Sequence, residues 1–196
     1  PARDRRKCAQ WSLDLLSPFE ATRADATRAL QSMGPDAIPI LVRQLHRRES
    51  WLHSPVMAVS SRLPVNWRRS FYGVWQPFRA RDERLAAATA LALFGAQVPV
   101  DPLLEALRQP DRQLASRVAA ALGGCGAAAV PGLTAALRDP DPEIRRLACY
   151  ALSQIRRPAA PAAAELARLL SDSDLQLMAS AAHALTTIGP AAIPHF

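Results

Sequence analysis

Apolar residues recur along the chain in a stripe that repeats about every 30 residues. Each occurrence is anchored on a leucine and includes the residue before it, the residue one turn earlier and the residue three positions later. This is the spacing of one face of an α-helix. The anchoring pairs are Ala29-Leu30, Ala90-Leu91, Ala121-Leu122, Ala151-Leu152 and Ala184-Leu185. The leucines are 61, 31, 30 and 33 residues apart, which predicts stacked helical units rather than one globular core.

The residues that flank each leucine predict which face of the helix is buried. One turn earlier stand small apolar residues: Ala26, Ala87, Val118, Ala148 and Ala181. Three residues later stand larger or softer ones: Met33, Phe94, Cys125, Ile155 and Ile188. Small residues allow neighbouring helices to approach closely, and the leucine with the later residue fills the remaining volume.

The ends of these helices are also marked in the sequence. Aspartates eleven residues before the leucine are expected to cap helix starts: Asp111, Asp141 and Asp174. Glycines four residues after it are expected to end the helices in a left-handed conformation: Gly34, Gly95, Gly126 and Gly189. Arg156 replaces that glycine in one unit, so we expect its turn to be made differently. A further apolar helix then follows each turn, at about 38–45, 103–107, 133–137 and 166–170, which makes each unit a helix–turn–helix.

Two phrases carry a resemblance to a known family. They are the run from Asp141-Pro142-Glu143-Ile144-Arg145 to Ala151-Leu152, and Ile188-Gly189-Pro190-Ala191-Ala192-Ile193-Pro194. Over roughly 20–48 and 80–196 the chain resembles the HEAT-repeat superfamily, in particular the short bacterial variant also seen in phycobilin lyases. An arginine often follows the first apolar residue of the second helix in this family, as Arg23, Arg84 and Arg145 do here. The resemblance implies an all-α, right-handed α-solenoid of about five repeats, which serves most often as a scaffold or adaptor.

The predicted organisation is a single solenoid over residues 1–196. Its parts are an N-terminal helix at 1–19, a first repeat region at 20–48, an irregular insertion at 49–80 and regular repeats at 81–196. The last repeat stops at the start of another helix, so we expect the chain to be part of a longer protein. No apolar run reaches the roughly 20 residues of a membrane-spanning helix. We therefore expect a soluble segment, with any signal or anchor upstream of Pro1.

The insertion at 49–80 combines aromatic and basic residues and holds a single acid, Glu49. Its candidate binding residues are Trp51, Arg62, Trp67, Arg68, Arg69, Phe71, Tyr72, Trp75 and Arg79. Long loops inside compact repeats are usually functional or disordered, and this one is too aromatic for a plain linker. Three interpretations stay open: an extra hairpin packed on the solenoid, a knob that binds a partner, or a reader of single-stranded nucleic acid or lipid headgroups.

The exposed face of the second helices, which lines the concave side in this family, is the other candidate surface. Its candidate binding residues are Arg28, Gln31, Thr89, Tyr150, Gln154 and His183. Polar and aromatic side chains on a shallow groove suit peptide or protein binding. An ordinary solvated helix face is the alternative.

No arrangement of residues calls for catalysis, a metal or a cofactor. The four histidines form no His-Glu pair, the three cysteines have no metal-ligand spacing, and no glycine-rich phosphate loop or nucleophile elbow is present. Cys125 falls in the apolar column and is expected to be a core residue.

The net charge of the chain gives little information about which class of partner it binds. The chain carries a net charge of +7, and the basic excess lies in residues 1–95, which hold 15 basic and 8 acidic residues. We therefore expect a non-enzymatic scaffold that binds a protein or peptide. The alternative is a binder of nucleic acid or anionic membrane through the insertion, and the third is a lyase-type enzyme related to phycobilin lyases.

Overall fold

The computed structural model of the protein describes residues 2–47 and 79–195. Within these ranges the chain forms α-helices joined by short 3-10 turns, and no strand. The helices are α1 (Ala2–Asp14), α2 (Glu20–Met33), α3 (Ile38–Leu45), α4 (Arg79–Ala92), α5 (Val100–Leu107), α6 (Arg112–Gly124), α7 (Val130–Ala136), α8 (Pro142–Ile155), α9 (Ala163–Arg168) and α10 (Leu175–Ile188). The 3-10 turns span Gly34–Ala37, Gly95–Gln97, Gly126–Ala129, Arg157–Ala162, Leu169–Ser171 and Gly189–His195.

The helices pack as consecutive pairs. The short helices α3, α5, α7 and α9 each pack on the longer helix that follows, and the longer helices α4, α6, α8 and α10 stack on one another in chain order. The predicted all-α solenoid of helix–turn–helix units is therefore confirmed, including the pairing of α3 with α4 across the insertion. Because α4 begins at Arg79, the last residues of the range predicted as insertion belong to this helix.

The predicted apolar stripe forms the core. Leu30, Leu91, Leu122 and Leu152 are all fully buried. The residues one turn before the leucines are also buried in every unit, and so are Phe94, Cys125, Ile155 and Ile188 after them. Burial is incomplete only at the outer units, where Ala29 and Met33 on α2 and Leu185 on α10 are partly exposed. Each helix thus buries its stripe against its neighbours, as expected for a serial core.

The predicted helix caps are confirmed at all three aspartates. The carboxylate of Asp111 accepts hydrogen bonds from the backbone N–H groups of Gln113 and Leu114, and that of Asp174 does the same two and three residues on. Asp141 accepts one such bond from the N–H of Glu143. The four predicted helix-ending glycines have φ between 49° and 71°, a conformation that glycine adopts without cost from a Cβ.

The prediction for Arg156 was wrong. We expected this unit to turn differently because it lacks the glycine, but Arg156 takes the same positive φ, 65°. Its N–H bonds to the carbonyl of Leu152 and its own carbonyl accepts from the N–H of Ala159, at 3.1 and 2.9 Å. These bonds to the helix before and the 3-10 turn after hold the backbone in place, so packing overrides the preference of the residue.

The N-terminal helix changes the start of the stack. The repeat pattern places α2 next to α4, in the same row as the other second helices. Instead α4 packs on α1, and α1 also packs on α2 and α3. The N-terminal helix therefore lies between the first two helices that the sequence pattern aligns.

Candidate binding face

The second helices present a continuous solvent-facing surface, which we call the second-helix face. It consists of the residues six before, two before and two after each aligned leucine of α4, α6, α8 and α10. They are Leu85, Thr89, Leu93, Ser116, Ala120, Gly124, Arg146, Tyr150, Gln154, Ala179, His183 and Thr187. These positions are four residues apart and share one side of a helix, and none of them is buried. Because the four helices stack in order, the face is uninterrupted.

Four of the residues predicted from the sequence meet on this face. Thr89 lies on α4, Tyr150 and Gln154 on α8, and His183 on α10. The Tyr150 side chain is 44% exposed, so much of its ring is accessible to a partner. The hydroxyl of Thr89 donates to the carbonyl of Leu85 at 2.9 Å, so its proton is already used within the helix.

The other two predicted groove residues lie apart from this face. Arg28 and Gln31 are exposed on α2, and α1 separates that helix from α4. The guanidinium of Arg28 pairs with the carboxylate of Asp25 on the same helix. The column that the sequence alignment treats as one surface is therefore divided after its first member.

The candidates in the insertion fall almost entirely outside the described residues. They are Trp51, Arg62, Trp67, Arg68, Arg69, Phe71, Tyr72 and Trp75. Arg79 is the first residue of α4. Their proposed binding roles stay predictions.

On α6 the second-helix face carries smaller side chains than on the neighbouring helices α4 and α8. Ser116, Ala120 and Gly124 stand there, between the leucines of α4 and the larger residues of α8. The helices are also close at this point: a Cβ added to Gly123 would lie 2.7 Å from the Cβ of Gln154. On either side of this channel stand Leu93, 38% exposed, and Tyr150. The result is a shallow channel with apolar and aromatic walls.

At the first turns of α6 the channel widens into a cleft, which we call the α6 cleft. It has a volume of about 380 Å³ and is lined by Leu16, Leu85, Arg112, Gln113, Ser116 and Arg117. Arg112 and Arg117 are both exposed, and neither side chain forms a hydrogen bond or ion pair with a described residue. The repeat alignment did not point to these two arginines, because they lie outside the column two residues before the leucine. They lie five residues apart in the same predicted helix, a spacing that does not place them on one face, so the helical period gave no signal for this pair.

A larger cleft lies at the neighbouring edge of the solenoid, where the helix pairs of α3–α4 and α5–α6 meet. It measures about 930 Å³ and includes His46, Arg47, Arg81, Arg84, Glu105 and Asp111. The Nε of Arg81 donates to Asp111 at 2.7 Å, and Arg47 pairs with the nearly buried Glu83. The hydrogen bond from Arg81 lowers the pKa of Asp111. Carboxylates thus neutralise much of the basic charge at this edge.

The cysteines are part of the core. Cys8, Cys125 and Cys149 are free and buried, which confirms the core position predicted for Cys125. Burial raises the pKa of the Cys8 thiol to about 11 and that of Cys149 to about 12, so both are thiols rather than reactive thiolates at neutral pH. In the described ranges no group of His, Cys, Asp and Glu residues could hold a metal ion.

None of the described helices combines the length and the hydropathy that crossing a membrane requires.

Comparison with known proteins agrees with the repeated geometry. Residues 130–196 match the family described as HEAT repeats, and the helix pairs that precede this segment stack in the same way. The chain is therefore an α-solenoid of repeated helix pairs. The similarity to HEAT repeats covers residues 130–196, about a third of the chain.

Solved structures that resemble it include engineered and designed proteins. One is an engineered protein that is 19% identical over 92% of this chain and 78% of its own, with a TM-score of 0.42. Another is a designed armadillo repeat protein in complex with the peptide (KR)4, which is 16% identical over 92% of this chain and 99% of its own, with a TM-score of 0.43. Both superpositions are loose, and nothing about function follows from them. No curated protein matches the chain.

Proposed function

We propose that this protein is a non-enzymatic adaptor that binds a peptide segment of another protein along its second-helix face. The observation that carries the proposal is the channel over α6, with small residues as its floor and the exposed side chains of Leu93 and Tyr150 on its flanks. Such side chains give up water-exposed apolar surface when a partner covers them, and this favours association.

The chemistry around the channel suits a peptide. Tyrosine is among the residues that most often anchor protein interfaces, because it offers a large rigid surface and a polar tip. Gln154 and His183 are exposed beside it and supply hydrogen-bond donors and acceptors for a peptide backbone. A shallow channel over stacked helices accepts an extended or helical segment without closing around it.

The two alternatives named from the sequence stay predictions. A binder of nucleic acid or anionic membrane depends on the insertion, which lies outside the described residues. Among the basic residues of the larger cleft, Arg47 and Arg81 are engaged with Glu83 and Asp111. The lyase-type activity rests only on the resemblance of the repeats.

Selection of peptides from a random display library on the immobilised protein tests the proposal. We expect enriched peptides to lose about tenfold or more in affinity with Tyr150→Ala, as at an interface anchor. Phe19→Ala is the matched control, because Phe19 is an exposed aromatic residue at the start of α2 and is not among the residues of this face. Circular dichroism checks that both variants fold. Peptides that bind both variants and the unchanged protein alike would refute the proposed site.

A further inference from the structure

We propose that the partner segment is acidic, with an apolar side chain that enters the α6 cleft and flanking carboxylates that bind Arg112 and Arg117. The inference rests on the proposed function and adds the chemical class of the peptide. Its basis is the combination of an apolar wall and two arginines that have no partner among the described residues.

The cleft has the shape for a side chain. Its apolar wall is formed by Leu16, which follows α1, and by Leu85 on α4. The first turns of α6 form the opposite side. At the other end of the helices the gap closes: a Cβ on Gly95 would lie 3.1 Å from the carbonyl oxygen of Gly124. A volume of about 380 Å³ is at the small end of ligand pockets, so the cleft holds one or two side chains rather than a cofactor.

The charges of the cleft have one sign. Arg112 and Arg117 line it, and no carboxylate does so among the residues that the structure describes. The nearest cap, Asp111, already binds Arg81 and two backbone N–H groups of α6. On α8, by contrast, both arginines have partners: Arg146 pairs with Glu143, and Arg145 with Asp172. The two guanidinium groups of the α6 cleft are thus available to bind an anionic ligand.

A peptide satisfies both parts of the site at once. A guanidinium binds a carboxylate through two parallel N–H donors, which gives both strength and orientation. An apolar residue between two acidic ones would place its side chain against Leu16 and Leu85 while its neighbours reach the arginines. The polar side chains of Gln113 and Ser116, which also line the cleft, can form hydrogen bonds with the peptide backbone.

Fluorescence anisotropy with defined probes tests the inference on the full chain. The probes are labelled peptides of repeated Asp-Leu-Glu, Asn-Leu-Gln or Lys-Leu-Arg triplets, a single-stranded oligothymidylate, and phosphatidylcholine vesicles with and without phosphatidylserine. The variants are Arg112→Gln and Arg117→Gln. Arg157→Gln is the matched control, because Arg157 is exposed in the turn between α8 and α9 and away from the cleft.

We expect the acidic peptide to bind about tenfold more tightly than the neutral one at low salt, since each carboxylate gains a charge-assisted hydrogen bond. Arg112→Gln and Arg117→Gln should each weaken this binding about fivefold or more, and Arg157→Gln should leave it unchanged. Equal affinity for the neutral peptide, or no effect of the two variants, would overturn the inference.

Two further results separate the inference from the proposed function. If the neutral or basic peptide binds best and loses affinity with Tyr150→Ala, the face binds peptides and only the acidic preference is wrong. If the oligothymidylate or the anionic vesicles bind more tightly than every peptide, and the cleft variants abolish that binding, then the arginines contact phosphate and the inference is wrong.

Discussion

Arg156 occupies the position that glycine holds in the other units and adopts a backbone conformation that costs an L-residue energy. Its φ is 65° and its ψ −133°, whereas the residues at Gly34, Gly95, Gly126 and Gly189 carry no Cβ. A residue held in such a sparsely populated region is strained by about 1–3 kcal/mol. The strain persists because α8 and the following turn define the path of the chain on both sides.

Replacing this residue should therefore stabilise the protein. We expect Arg156→Gly to raise the free energy of unfolding by about 1 kcal/mol, since relief of the strain exceeds the entropy that glycine adds to the unfolded chain. Urea denaturation monitored by circular dichroism measures the change. Arg157→Gly is the control, because its φ is not positive, and it should be neutral or destabilising. A loss of stability with Arg156→Gly would contradict the strain.

Asp111 has two roles that can be measured separately. It caps α6, and its carboxylate accepts a hydrogen bond from Arg81, which lowers its pKa. A carboxyl group with a lower pKa in the folded state stabilises the fold at pH values above its unfolded pKa, which is about 3.9. That contribution is lost as the pH falls through the lower, folded value.

Asp111→Asn keeps a capping oxygen and removes the charge. The difference in unfolding free energy between the unchanged protein and this variant should be largest near neutral pH and should shrink below about pH 4. Thermal denaturation across a pH series measures it. The same substitution in an Arg81→Ala background should show a much smaller pH dependence. An equal dependence in both backgrounds would show that the ion pair is not the cause.

At the scale of elements, the arginine that the family resemblance singles out has a structural use. Nη1 of Arg145 donates to the carbonyls of Asp139 and Pro140, at 2.9 and 3.2 Å. Nη1 of Arg23 makes the same two bonds to Ser17 and Pro18. In both cases the side chain bonds the carbonyls five and six residues earlier and thereby fixes the turn that leads into the second helix. These arginines orient helices rather than bind ligands.

Close approach of α6 and α8 depends on a single glycine. Because a Cβ at Gly123 would lie 2.7 Å from the Cβ of Gln154, Gly123→Ala should push the helices apart and cost about 1–3 kcal/mol of stability. Gly124→Ala is the matched control: its Cβ would meet only ordinary contacts, at 3.5 Å or more. Differential scanning calorimetry of the two variants measures this difference in stability. Equal melting temperatures would mean that the helices are not held this closely.

The whole molecule is held together unit by unit. Ion pairs join consecutive units, between Arg81 and Asp111, Arg108 and Asp139, and Arg138 and Glu165. The arginines of these pairs are exposed, so each pair contributes little, although the hydrogen bond from Arg138 does lower the pKa of Glu165. The buried leucine column carries most of the stability, and each leucine contacts mainly its own and adjacent units.

Stability should therefore be lost locally. Leu152→Ala, in the middle of the stack, should cost about 2–5 kcal/mol and speed amide hydrogen exchange in α6, α8 and α10 more than in α1 to α3. Leu30→Ala on α2 is the matched variant at the other end of the stack. It should speed amide hydrogen exchange in α1 to α3 more than in α6, α8 and α10. Hydrogen exchange followed by mass spectrometry measures both. A uniform increase over all helices would show that the protein unfolds as a single unit.

Much of the architecture could be predicted from short-range signals. The aspartate caps, the helix-ending glycines and the leucine stripe depend on residues a few positions apart, and each is where the pattern placed it. The same helical period places Thr89, Tyr150, Gln154 and His183 on one helix face, and their binding role stays a prediction. Arg28 and Gln31 were grouped with them wrongly, because the period does not reveal which helices are neighbours.

The sequence by itself thus determined the kind of unit, its limits and its buried face, since these follow from interactions within one helix pair. Only the tertiary structure decided that α1 lies between α2 and α4, that Arg156 takes a glycine conformation, and that Leu16 meets Arg112 and Arg117 at one cleft. Each of these depends on contacts between segments far apart in the chain. Packing energy there outweighs local preference, and no pattern within a single unit encodes it.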